Sequence, residues 1–135
     1  MKGSCLCGAI EVSTADQANV DVCHCTTCRR WGSGPMLAVH CGTDVVFGGK
    51  QKPTTYQSSD WAERGFCSIC GTHLFYHLLS SDEYALSAGL FQQEASFEMS
   101  SQIFIEQKPD YYDFANETVT MTGEQAFAHF SKHDN

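Results

Sequence analysis

Eight cysteines in 135 residues fall into a pattern that leaves this chain little freedom in how it folds. Three stand within six positions, at Cys23, Cys25 and Cys28. Four more form two pairs, Cys5-Leu6-Cys7 and Cys67-Ser68-Ile69-Cys70, with fifty-nine residues between them. Thiols this dense read as ligands of shared metal ions, because a tetrahedral ion gathers them from tight turns without distorting the backbone. The two pairs complete a four-thiolate shell with no position left over, which is the make-up of a structural zinc site. Such an ion would clip the N-terminal strand to the middle of the chain. Structural zinc contributes roughly 10–16 kcal/mol of apparent binding energy in small peptides, comparable with the stability of a whole domain. Gly3, Gly8 and Gly71 flank these pairs, where the backbone must turn sharply, often at positive φ, to aim its N–H groups at the sulfurs.

The triad is one ligand short of a closed shell. A zinc with its fourth position left to water or substrate is one that does chemistry. The alternative is a second closed site whose fourth ligand comes from His24, His40, Cys41 or His73. On an extended segment the His24 side chain points away from its neighbours' metal, which suits packing. Cys41 reads as a buried apolar thiol, and His73 and His77 share one side of a strand. Arg29 and Arg30, directly after the triad, offset thiolate charge and offer guanidinium groups to a substrate carboxylate; the plainer reading is a solvated pair. Trp31, Tyr56, Trp61, Tyr111 and Tyr112 read as core aromatics before pocket walls.

The formal charge is −8, and thiolate-bound zinc at both sets would carry it to about −11. An acidic balance disfavours nonspecific binding to nucleic acid, whose affinity comes from neutralising phosphates, and so argues against a nucleic-acid module. No apolar run is long enough to cross a bilayer, and Met1-Lys2-Gly3-Ser4-Cys5 is no signal peptide. The expectation is a cytoplasmic protein, where cysteines serve as ligands or reactive thiols before disulfides.

Alternating apolar and polar residues mark strands over 9–13 and 19–22, then 36–40 and 45–47 around a Gly42-Thr43-Asp44 turn,. Further strands are expected over 54–57, 73–79, 84–88 and 102–106. Residues 29–35 read as a turn region after one helical turn, and 90–100 carry no clear period. Thr122-Gly123-Glu124-Gln125 is a capping box opening a short helix through Phe130. One mainly β domain, residues 1–135, with one or two short helices is expected.

Gly3-Ser4-Cys5-Leu6-Cys7-Gly8, Cys23-His24-Cys25-Thr26-Thr27-Cys28-Arg29-Arg30 and Phe66-Cys67-Ser68-Ile69-Cys70-Gly71 together resemble the three signatures of the glutathione-dependent formaldehyde-activating enzyme family, which also includes centromere protein V. The resemblance implies a β-tent fold of short antiparallel sheets around a structural zinc at Cys5, Cys7, Cys67 and Cys70. It implies a catalytic zinc at Cys23, Cys25 and Cys28. The implied activity is that of a carbon–sulfur lyase, the S-hydroxymethylglutathione synthase type, acting on a small-molecule thiol and aldehyde. Where the family often has a His before its Ile-Phe strand, this chain has Gln102. Two other classes fit the cysteines: a zinc-stabilised protein-binding module without turnover, and a thiol redox sensor that releases zinc on oxidation.

Overall fold

The computed structural model describes residues 1–92 and 96–131. Strand β1, Lys2–Ser4, turns at the first cysteine pair into β2, Ile10–Thr14. In β2, Ile10, Val12 and Thr14 are buried while Glu11 and Ser13 face solvent, the period-2 pattern of a strand with one covered face. Strand β3, Asn19–Cys23, buries Val20 and Val22 and delivers the chain to the triad. Helix α1, Thr26–Gly32, follows, then β4, Met36–Gly42, and β5, Val45–Gly49. Strands β6, Thr54–Gln57, and β7, Ala62–Phe66, lead to the second cysteine pair. Beyond it come β8, His73–Leu78, and β9, Glu83–Ser87. Strands β10, Glu98–Ile103, and β11, Val119–Thr120, and helix α2, Gly123–Ser131, complete the described elements.

Among the described residues these strands make a three-stranded sheet, β1-β2-β5, and an eight-stranded one, β11-β10-β3-β4-β9-β8-β7-β6. Pairing is antiparallel except at β10, which runs parallel to both β3 and β11. One core serves both sheets. Ile10 and Val12 of β2 cluster with Val39, Leu74, Phe75 and Leu86 of the larger sheet, and Phe47 of β5 packs its ring against Phe75 and Tyr84. The expected mainly β architecture of antiparallel sheets with two short helices is what the chain adopts. No described helix is long and apolar enough to cross a membrane.

Several local expectations needed correction. Residues 26–32 form a helix rather than one turn followed by loop, because the Cys25 side chain caps it by accepting from the Cys28 N–H. The strand expected over 102–106 begins earlier, at Glu98, and stops at Ile103. Phe104 takes a left-handed backbone, φ 54°, and Ile105–Gln107 winds into a 3-10 turn. Within 90–100, residues 93–95 lie outside the described residues. The capping box forms as expected: Thr122 Oγ1 accepts from Gln125 N–H at 3.1 Å, and Gln125 Oε1 accepts from Thr122 N–H at 2.9 Å.

Candidate metal centres

The first cysteine pair sits in the β1–β2 turn and the second in the β7–β8 turn, so one belongs to each sheet. Their four sulfurs nevertheless converge within 4.8 Å of one another. Cys5 Sγ lies 3.6 Å from Cys7 Sγ, and Cys7 Sγ lies 3.9 Å from Cys67 Sγ. Four sulfurs each 2.3 Å from a tetrahedral zinc are spaced by about 3.8 Å, so this donor set fits the ion. The turns are built for it. Gly8 and Gly71 follow their cysteine pairs at φ +80° and +79°, where a side chain would strain the backbone. The Ile10 N–H donates to Cys5 Sγ at 3.3 Å, and Thr72 Oγ1 stands 3.2 Å from Cys70 Sγ. Hydrogen bonds from the Thr72 hydroxyl and backbone draw the Cys70 thiol down to about 5. Cys5 and Cys67 are buried.

The triad lies where β3 ends. Cys23 is paired with Met36 of β4 on one side and Ile103 of β10 on the other. The His24 N–H donates to the Ile103 carbonyl at 3.1 Å, which bends the chain off the sheet edge into α1. The Cys23, Cys25 and Cys28 sulfurs also gather within 4.8 Å of one another. The three share their protons: hydrogen bonds from Cys23 and Cys28 draw the Cys25 thiol down to about 2, and those with Cys25 and Cys28 push Cys23 up. Such a cluster already holds negative charge and suits a cation.

No fourth His, Cys, Asp or Glu among the described residues joins these three sulfurs. Each side chain considered as a fourth ligand is engaged elsewhere. His24 is fully buried; its Nε2 donates to Gln102 Oε1 at 2.8 Å while Tyr112 donates its hydroxyl to Nδ1 at 2.7 Å. Burial holds the His24 ring below its ordinary pKa, with smaller contributions from Lys108 and Arg29. Gln102 thus serves the ring beside the triad, and its own amide nitrogen donates to Thr118 Oγ1. His40 pairs with Asp21 at 3.3 Å, the Cys41 thiol donates to the Val39 carbonyl, and His73 stacks on Trp31 with ring centroids 3.9 Å apart. His77 bridges Glu63 and Asp82.

Cys28 faces a cavity of about 230 Å³ whose walls include Trp31, Pro35, Met36, Leu37 and His73. Trp31, half-buried and outside the core cluster, is therefore a pocket wall and not the core aromatic expected from its sequence. Arg29 donates its Nε to the His24 carbonyl at 3.0 Å, Arg30 is exposed, and neither lines the cavity. The cation that does reach the triad is Arg64 of β7. It is 4% exposed, and both of its terminal nitrogens donate to Cys28 Sγ at 3.4 Å. Its guanidinium carbon lies 5.1 Å from the Trp31 ring centre and 5.4 Å from that of Tyr76. Nothing in the sequence around Arg64 points to a sulfur 36 positions away.

Comparison with known proteins accords with this geometry. A protein of Schizosaccharomyces pombe named an uncharacterized lyase is 37% identical over 123 residues, covering 90% of each chain. A crystal structure of a Rhodobacter sphaeroides protein superposes with a TM-score of 0.61 at 24% identity, covering 90% of this chain and all of that one, which speaks for the shared fold. The model of the family described as glutathione-dependent formaldehyde-activating enzyme matches residues 1–107. With its three cysteine signatures inside that match, the chain belongs to the glutathione-dependent formaldehyde-activating enzyme family.

Proposed function

We propose that the protein is a carbon–sulfur lyase of glutathione-related chemistry, joining a thiol to a small aldehyde or releasing it from the adduct. In this reading Cys23, Cys25 and Cys28 hold a reactive zinc. Cys5, Cys7, Cys67 and Cys70 hold a structural zinc that staples the two sheets within one domain, residues 1–135, in the cytoplasm. The observation that carries it is the incomplete cluster: three converging sulfurs, with no fourth protein ligand among the described residues, one of them facing a cavity. Membership of the family and the lyase name of the yeast relative support the same chemistry.

The step balances simply. The thiol sulfur forms a bond to the carbonyl carbon, the π pair moves to oxygen, and that oxygen takes the proton the thiol gives up. A zinc at the triad supplies a Lewis acid for the oxygen or a site for the thiolate. The chain's own side chains do the rest. Trp31, Pro35, Met36 and Leu37 give the cavity apolar walls that leave room for the aldehyde's substituent. Arg30, for which no ion pair occurs among the described residues, offers its guanidinium to the thiol substrate's carboxylate, while Arg29 adds charge from its place on the His24 carbonyl.

The test is a Cys25→Ser variant assayed for bound metal and for formation of the hydroxymethyl adduct from glutathione and formaldehyde. One metal per chain instead of two, with the rate down roughly 100-fold or more, is the expected outcome. Wild-type turnover in that variant would refute the assignment.

A further inference from the structure

A triad that works on aldehydes has a problem of its own making, because its ligand sulfurs are themselves nucleophiles. Cys28 lines the cavity in which the electrophile would sit. If Cys28 attacked the carbonyl, its sulfur would bond to the carbon, the π pair would move to oxygen and take a proton, and a metal ligand would be lost. We propose that Arg64 is a positioning residue that caps the Cys28 thiolate, so that the incoming thiol and not the protein's own sulfur meets the aldehyde. The proposal rests on the triad holding a metal.

The geometry is specific. Arg64 places Nη1 and Nη2 at the same 3.4 Å from one sulfur, a fork that a single ammonium cannot reproduce. The fork is held rigidly. Arg64 sits in β7 directly across from Tyr76 in β8, and its guanidinium lies against the rings of Tyr76 and Trp31. Its Nε is buried without a hydrogen-bond partner, a cost that the chain carries while both remaining arms go to Cys28. Cys25, by comparison, accepts a backbone N–H from Cys28 at 3.3 Å, a neutral donor. Charge counting agrees: three thiolates and a divalent ion leave −1, and the buried Arg64 guanidinium brings the centre to zero. N–H···S bonds from a cation draw lone-pair density off the sulfur. That lowers its reactivity toward carbon and its donation to the metal, and a metal receiving less charge polarises a carbonyl more strongly.

The experiment uses the full-length, zinc-loaded chain and its Arg64→Gln and Arg64→Lys variants. Each is treated with iodoacetamide at fixed pH, a probe whose carbon bonds to sulfur as iodide leaves. Modification of Cys28 is followed by peptide mass spectrometry, and zinc release by a chromophoric chelator. Cys67 serves as the internal control for an intact fold. Arg64→Gln is expected to label Cys28 about ten-fold faster than wild type with matching zinc release and Cys67 untouched; Arg64→Lys, which keeps charge and loses the fork, falls between. With cobalt in place of zinc, the thiolate-to-metal charge-transfer band moves to longer wavelength in Arg64→Gln, since an uncapped sulfur is the better donor. Equal labelling rates and an unmoved band overturn the proposal. Should Arg64→Gln lose its fold, with Cys67 labelled as well, the wild-type and Arg64→Lys pair decides by the same two readouts. A wild-type chain that binds one zinc, with the triad bare, overturns the metal reading and this proposal with it; two bound ions with unchanged Cys28 reactivity overturn the capping role alone.

Discussion

The two clusters differ in how much chain they tie together, and that difference has a calculable consequence. Cys5 and Cys67 stand 62 positions apart, whereas Cys23 and Cys28 stand 5 apart. Treating a metal clip as a cross-link, closing the long loop removes about 4.3 kcal/mol of chain entropy from the unfolded state at 25 °C, and closing the short one about 2 kcal/mol. Replacing both Cys67 and Cys70 by serine should therefore cost about 2 kcal/mol more than replacing both Cys23 and Cys25, although each change deletes two sulfurs. That gap is about 40-fold in the folding equilibrium, and the larger loss is a substantial share of a typical domain's 5–15 kcal/mol. Serine for cysteine changes little volume, so cavity terms stay small even at Cys67, which is fully buried. The assay is equilibrium urea unfolding followed by circular dichroism. Free zinc must be buffered at one concentration throughout, because ion binding shifts stability by mass action. Losses of equal size, or a weaker triad variant, would refute the reasoning that the four-cysteine cluster is the long-range staple.

Other consequences are local. A Cβ at Gly65 would run into the Phe75 ring, so Gly65→Ala should lower stability by about 1–3 kcal/mol, read as a drop in the urea midpoint. Tyr112→Phe removes the hydroxyl that donates to the buried His24 Nδ1 and should cost about 1–3 kcal/mol in the same assay. His73 is held below the ordinary histidine pKa, first by burial and then by the charge of Arg64. Its folded-state pKa lies under its unfolded one, so unfolding takes up a proton below pH about 6.5, and stability falls as pH drops through that value toward the folded pKa. Above that window the contribution is flat. Unfolding free energies of wild type and His73→Gln at pH 7.5, 6.5 and 5.5 should diverge only toward acid, with the variant losing less.

What could be read from the sequence was whatever the chain encodes over short distances. The ligand sets are spacings of two and three residues, the capping box spans four, and β2 shows its covered face in a strict alternation of burial. Strand β7 was not legible, because Ala62-Glu63-Arg64-Gly65-Phe66 puts charged residues on both faces and follows them with a glycine; it is a strand because β6 and β8 pair with it on either side. The true end of β10 was hidden for a related reason, since Phe104 adopts a positive φ that its side chain does not advertise. Arg64 joins both cases. Pairing register sets it opposite Tyr76, the aromatic walls hold it there, and α1 brings Cys28 to its two nitrogens across 36 positions of sequence. The cysteine sets are therefore written locally, whereas the cation that meets one of them is supplied by strand register, which is why a chain can announce its sulfurs and conceal the arginine beside Cys28.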